Sequence, residues 1–269
     1  MTVIQGISAP LFVPGDRPEL FAKAARASAD AIIIDLEDAV APDKKDIART
    51  SVASHGIETL PVIVRINAFA SADYAQDIQA ALKGKPVAII LPKAESAEQI
   101  IATIGMMGDA CPIIPLIESA AGLAALPALL APAQVACVAF GAFDFSLDLG
   151  CEATWEPLLL ARCELVWRSR VAQKLAPWDS PSATINNPDE VEKEAARAAK
   201  LGFGGKLAVH PGQINAIKRA FTPDEELVAW ANRVIDACKD GAAVQLDGAM
   251  VDRPVLARAI KILSSRKPI

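Results

Sequence analysis

Two apolar runs in this chain break on carboxylates. Residues 111–122 (CPIIPLIESAAG) turn polar at Glu118, and residues 135–150 (VACVAFGAFDFSLDLG) do so at Asp144. A carboxylate at the end of each of two buried strands is how a hard-cation site would read, so the pair suggests a metal. Charge recurs where other apolar runs end: Asp16 and Arg17, Glu37 and Asp38, Arg65 with Asn67, Lys93, and His210. Buried charges are costly unless paired or metal-bound, so the set requires either a ligand or a salt-bridge network. At this point a barrel salt bridge for Glu118 and Asp144, and a purely structural Arg65–Glu37 pair, remain open beside the metal reading.

The elements that would hold these residues alternate. Apolar runs of strand length occur at 11–14, 31–36, 62–66, 87–91, 113–117, 135–140 and 206–209, with a weaker eighth near 175–179. Helix formers with helical spacing fill 18–29, 44–54, 72–82, 97–107, 120–130, 157–174 and 189–201. Val- and Ile-rich strands without polar alternation are buried on both faces, as in parallel sheets covered by helices. Eight βα units and the absence of a GxGxxG turn predict a closed (β/α)8 TIM barrel rather than an open doubly wound sheet. Its polar strand ends would then lie at one face, where barrels carry their chemistry.

The boundary of the repeat is expected at residue 221. Residues 222–269 read as an extension: a helix with Thr222 as N-cap and Glu225 three residues on, a turn marked by Gly241, Asp247 and Gly248, and a last short helix. Such a tail is expected to act as a lid or an oligomerisation element.

The 269 residues are 52% hydrophobic and 22% charged, enough for one large core. A net charge of −5 argues against nonspecific nucleic-acid binding. Cys111, Cys137, Cys151, Cys163 and Cys238 form no CxxC pair and are expected as free thiols in a reducing cytoplasm. No run approaches the roughly 20 apolar residues of a membrane span, and the start MTVIQGISAP lacks signal-peptide character.

Eight blocks, in order along almost the whole chain, resemble the citrate lyase β-subunit family. They are LFVPGDRPELFAKA, DLEDAVAPDKKDIAR, VRIN, LPKAES, IESAAG, GAFDFSLDLG, GFGGKLAVHPGQI and DGAMVDRP. That family sits with malyl-CoA and citramalyl-CoA lyases in the aldolase superfamily named for HpcH and HpaI. The resemblance implies a Mg²⁺-dependent retro-Claisen lyase, commonly a homotrimer, splitting a 3-hydroxyacyl-CoA of citryl, malyl or citramalyl type into a 2-oxo acid and acetyl-CoA. It implies Glu118 and Asp144 as metal ligands and Arg65 as the group that grips the oxo acid and its enolate. Gly141 and Ala142 are implied as substrate contacts, and Asp252 as a lid acid/base contributed across the subunit interface; beside that stands the reading of Asp252 as a solvated loop aspartate capping the last helix, since Asp-x-Pro is a good helix start. Glu37 and Asp38 are read as acids that orient Arg65 or metal-bound water, or equally as structural partners. Lys44, Lys45 and Arg49 oppose the dipole of a helix that Asp43 is expected to cap, so either a CoA or carrier phosphate meets Lys45 and Arg49 or they form a plain solvated face. Lys206 is read as a salt-bridge element, His55 as a surface residue without a partner, and His210 as a lock on the last strand end.

This chain departs from the family at residues 8–10 (SAP), where an arginine and serine usually stand, and at 176–184 (APWDSPSAT), usually an AIDGV-like segment. Both departures bear on the thioester partner, free CoA or a carrier protein of a citrate lyase complex, and leave the metal and arginine residues in place. Two further readings are a CoA-independent oxo-acid aldolase or hydrolase, and a catalytically silent regulatory barrel.

Overall fold

The computed structural model describes residues 3–238, 243–246 and 248–264. Eight parallel strands run in sequence order: β1 (Pro10–Pro14), β2 (Ala31–Asp35), β3 (Val62–Arg65), β4 (Ala88–Leu91), β5 (Ile113–Ile117), β6 (Ala139–Phe140), β7 (Trp178–Asp179) and β8 (Gly205–Lys206). A parallel bridge from Leu11 to Ala208 and the Phe12 N–H to Ala208 carbonyl bond (2.8 Å) return the eighth strand to the first. The sheet is therefore an α/β barrel, as expected. Helices α1 (Phe21–Ala25), α2 (Lys45–Ala53), α3 (Tyr74–Lys83), α4 (Ala97–Met107), α5 (Ala120–Leu130), α6 (Ala142–Leu149), α7 (Leu159–Val171), α8 (Pro188–Leu201) and α9 (Ile214–Phe221) alternate with and follow the strands.

Strand composition explains the core. Ile33, Ile63, Ile90, Ile114, Leu116, Ala139, Trp178 and Leu207 pack as one buried cluster. Period-two alternation then places the residue two positions beyond an interior one on the same side, so Asp35 follows Ile33, Arg65 follows Ile63 and Glu118 follows Leu116. The last three strands are shorter than their sequence runs. Near them the chain carries Pro177, Pro181 and Gly204, and the backbones approach closely: a Cβ on Gly205 would lie 2.7 Å from the Ser8 carbonyl oxygen. The indole of Trp178 closes this end by donating to the Ile7 carbonyl at 3.1 Å.

Several local expectations are corrected. Asp43 lies inside a 3-10 turn (Pro42–Lys44) and makes no side-chain cap, and α2 begins directly behind that turn. His55 has partners: its Nε2 lies 2.9 Å from the Gly84 carbonyl, and its Nδ1 accepts from the Ile57 N–H. His210 needs no correction: expected to lock the last strand end, it caps the 3-10 turn after β8 by accepting from the Gly212 N–H.

The chain divides into two compact units, Met1–Lys218 and Arg219–Ile269. In the second, α10 (Glu225–Ala237), an antiparallel hairpin of β9 (Val244–Leu246) and β10 (Ala249–Val251), and α11 (Arg253–Ser264) enclose Ala231, Val234, Val251 and Ala259. Asp224, rather than Thr222, caps α10 by accepting from the Leu227 N–H at 2.7 Å. Gly241 and Asp247, expected in the turn, lie outside the described residues. All five cysteines are free thiols, and burial pushes Cys137 up to about 12. Among the described residues no helix is long and apolar enough to cross a membrane.

Candidate active site

A cavity of about 430 Å³ opens among the strand ends. Its charged lining comprises Asp35, Asp38, Arg65, Glu118 and Asp144, and its apolar lining includes Phe12, Leu116, Phe140, Phe143 and Leu207.

Arg65 is the fixed cation of this cavity. Register pairs it directly with Asp35 across β2 and β3, and the two side chains meet as a fork, Nε to Oδ1 and Nη2 to Oδ2, both 2.6 Å. Its Nη1 lies 3.0 Å from Glu37 Oε2 and 3.5 Å from Asp38, and its guanidinium stands 4.9 Å over the Phe12 ring. Burial disfavours its charge, but the charge and hydrogen bonds of Asp35 outweigh that and raise its pKa. Two planar contacts fix the fork's orientation as a lysine's point charge would not.

Glu118 and Asp144 contrast with that closed pair. Glu118 is 5% exposed and accepts one hydrogen bond, from the Lys93 N–H at 2.8 Å. Burial first, and then the nearby charges of Glu37 and Asp144, push its carboxyl up to about 8 despite Lys93 N–H and Arg65. Gly141, the residue before α6, is shaped around it: a Cβ there would stand 2.5 Å from Glu118 Cγ and 2.6 Å from Oε1. Asp144 occupies the first turn of α6 rather than a strand end. Among the described residues neither carboxylate forms an ion pair, so the barrel salt-bridge alternative has no partner here. Nor do three His, Cys, Asp or Glu side chains close into a cage among the described residues. Two carboxylates lining an open cavity have the chemistry to suit a hard divalent cation that keeps water or takes a substrate chelate.

The other expected contacts fall differently. The three protons of the Lys45 ammonium are engaged by the Leu36 carbonyl, the Glu37 carbonyl and Asn67 Oδ1 at 2.6, 2.8 and 2.9 Å. Arg49 is held by Asp46, Asp73 and Asp77. Their positive charge is thus offset by the protein's own oxygens, and the expectation of a phosphate at either residue is corrected. The Ala142 N–H donates to Ser180 Oγ at 3.1 Å, within the segment that departs from the family pattern. Asp252 lies in the second unit, where its Oδ1 accepts from the Val255 N–H at 3.3 Å at the start of α11.

Two residues escaped the sequence reading. Asp35 was masked by the more conspicuous Glu37 and Asp38, although counting by twos from Ile33 reaches it. Asp77, fully buried on α3, binds the Asn67 N–H and Nδ2 at 2.9 and 2.6 Å as well as Arg49. An acid within an amphipathic helix gave no such signal.

Comparison with known proteins places this arrangement. Residues 9–211 match the HpcH/HpaI aldolase/citrate lyase family model. The chain belongs to that family. It is 34% identical over 263 residues to a citrate lyase subunit beta-like protein of Mycobacterium tuberculosis, covering 94% of this chain and 93% of that protein. It is 31% identical to the citrate lyase subunit beta of Escherichia coli, covering 94% and 91%. The structure of CitE from Mycobacterium tuberculosis in complex with magnesium, acetoacetate and coenzyme A superposes with a TM-score of 0.87 at 33% identity, covering 98% of each chain. The family's fold and the barrel seen here are the same.

Proposed function

We propose that this member of the HpcH/HpaI aldolase/citrate lyase family is a Mg²⁺-dependent carbon–carbon lyase. Its substrate class is a 3-hydroxyacyl-CoA of citryl, malyl or citramalyl type, cleaved to a 2-oxo acid and acetyl-CoA. The observation that carries this reading is the carboxylate pair Glu118 and Asp144, without an ion-pair partner among the described residues, in the same cavity as a rigidly forked Arg65. Relatives named citrate lyase subunit beta, and a similar structure holding magnesium, acetoacetate and coenzyme A, support it.

Glu118 and Asp144 would hold the ion. When bound, Mg²⁺ supplies a Lewis-acid charge for oxygens of the 2-oxo acid. Arg65 offers its positive face to the substrate carboxylate and to oxygen charge that develops as the carbon–carbon bond breaks, already oriented by Asp35 and Glu37. Phe12, Leu116, Phe140 and Phe143 limit water around that charge. Cleavage requires the substrate's hydroxyl proton to leave and a proton to reach the acetyl carbon. Asp252, supplied in trans by another subunit of a homotrimer, is assigned the second task on the family resemblance. The Ser180 contact to the Ala142 amide changes how α6 would meet an anionic substrate, and Gly141 contributes by admitting the Glu118 carboxylate.

The test is to incubate the protein with citryl-, malyl- and citramalyl-CoA, with Mg²⁺ or with EDTA, and to measure released 2-oxo acid. Release from at least one thioester, abolished by EDTA, is expected. No release from any, or release indifferent to EDTA, would overturn the assignment.

A further inference from the structure

We propose that Lys93 is a positioning residue that joins the two halves of the site, holding Glu118 through its main chain and setting Arg65 through Glu37. The inference rests on the reading of the cavity as a Mg²⁺ and 2-oxo-acid site. Lys93 lies two residues beyond the end of β4 and adopts φ 51°, a left-handed conformation that disfavours any residue with a Cβ. The sequence places lysine there, not the glycine or asparagine that such a turn favours. In this conformation its two polar ends reach different partners. The N–H donates to Glu118 Oε2 at 2.8 Å, and Nζ meets Glu37 Oε1 at 2.9 Å.

Glu37 makes the side-chain contact consequential. It is 6% exposed, and its Oε2 lies 3.0 Å from Arg65 Nη1 without a well-directed hydrogen bond. Without the ammonium, that carboxylate would draw on Arg65 alone and compete with a substrate carboxylate for the guanidinium. With it, Glu37 is shared between two cations and Arg65 keeps its face toward the cavity. Stability is a poor explanation for the arrangement. The Lys93 side chain is 47% exposed, and half-exposed ion pairs add little to folding, whereas the backbone conformation works against it. Positive φ also occurs at Ser28, Lys85 and Gln173, but at Lys93 the turn aims two groups at carboxylates of the site.

The experiment compares Lys93→Gly, Lys93→Arg, Glu37→Gln and the double variant Lys93→Gly/Glu37→Gln. Titration calorimetry follows MgCl₂ alone, and pyruvate or oxaloacetate with MgCl₂, beside thermal unfolding of each protein. Lys93→Gly keeps the N–H and relieves φ, so its melting temperature is expected unchanged or higher and its Mg²⁺ affinity within about threefold of wild type. Its affinity for the 2-oxo acid is expected to weaken about tenfold, the scale of one charge-assisted contact, and Lys93→Arg to recover most of that loss. In the Glu37→Gln background, Lys93→Gly is expected to cost nothing further, because the charge it neutralises is gone. Wild type that binds the oxo acid while Lys93→Gly binds it equally well, or full additivity in the double variant, overturns this inference alone. Wild type that binds neither pyruvate nor oxaloacetate in Mg²⁺ overturns the reading of the site, and this inference with it.

Discussion

The barrel carries two clusters of buried charge at its strand ends, and they differ in how they close. Around β7 and β8, Arg162 and Lys206 face Asp179 and Glu194, two cations against two carboxylates. Asp179 takes Arg162 at 2.9 Å and Lys206 at 3.3 Å, and Lys206 also reaches Glu194 and the Ser180 carbonyl. Arg162 is further fixed between the Phe140 and Trp155 rings. Around β2 to β6, Arg65 and Lys93 face Asp35, Glu37, Asp38, Glu118 and Asp144, two cations against five carboxylates. Residue types at the strand ends are alike in both places. Both clusters border cavities, of about 430 and 280 Å³, so what separates them is charge: the surplus of carboxylates in the first suits a cation, whereas the second is balanced.

The sharpest way to break that contrast is to neutralise one member of the surplus. Glu118→Gln or Asp144→Asn should remove Mg²⁺-dependent binding of a 2-oxo acid to below detection while the protein stays folded, because a site with few protein ligands depends on each anionic one. Titration with oxaloacetate and Mg²⁺ measures it, and unchanged binding in both variants would return the pair to a structural role. The same isosteric change in the closed cluster should act on stability. Asp179→Asn strands Arg162 and Lys206, a break that costs about 3–5 kcal/mol in buried pairs. Urea unfolding should show that loss, with oxo-acid affinity of the folded protein within about twofold of wild type. A parallel collapse of binding would mean that the clusters are not separate.

Arg65→Lys probes the cation rather than the carboxylates. It keeps the charge and loses the fork that meets Asp35, so turnover should fall about a hundredfold, the scale of one preorganised oxyanion donor. Near-normal turnover would leave Arg65 as a partner of Asp35 only.

The barrel was legible because continuous apolar runs mark a helix-covered parallel sheet, and eight of them without a GxGxxG turn favour closure over an open sheet. Where the chain relies on close backbone approach, as at Gly205 against Ser8, hydrophobic pattern overstated the strands. Within the site, Glu118, Asp144 and Arg65 were visible as charges ending apolar runs. Asp35 was not, since the last residue of β2 reads as a boundary until register sets it opposite Arg65. Lys45 and Arg49 show the converse error. Their charge was real, but what offsets it, the Leu36 and Glu37 carbonyls and Asp73 with Asp77, comes from segments that only folding brings near.

The smallest expected change in stability lies in the second unit and concerns Asp252, for which two roles compete. The hydrogen bond from the Val255 N–H makes its carboxylate a cap for α11, a role that asparagine fills as well as aspartate. Asp252→Ala should therefore cost about 1 kcal/mol of unfolding free energy, and Asp252→Asn only a few tenths. A general acid cannot be replaced so: the amide of Asn does not exchange a proton in the required range, and activity in both variants should drop by about a hundredfold or more. A cap alone predicts that Asn keeps activity. If the acid is shared between subunits, Asp252→Asn and Glu118→Gln proteins, each inactive, should regain activity when dissociated and reassembled together, since some sites then combine an intact Asp252 with an intact Glu118. Mixed oligomers that form and stay inactive would rule out the exchange, and full activity in Asp252→Asn alone would leave the residue as the helix cap the structure already displays.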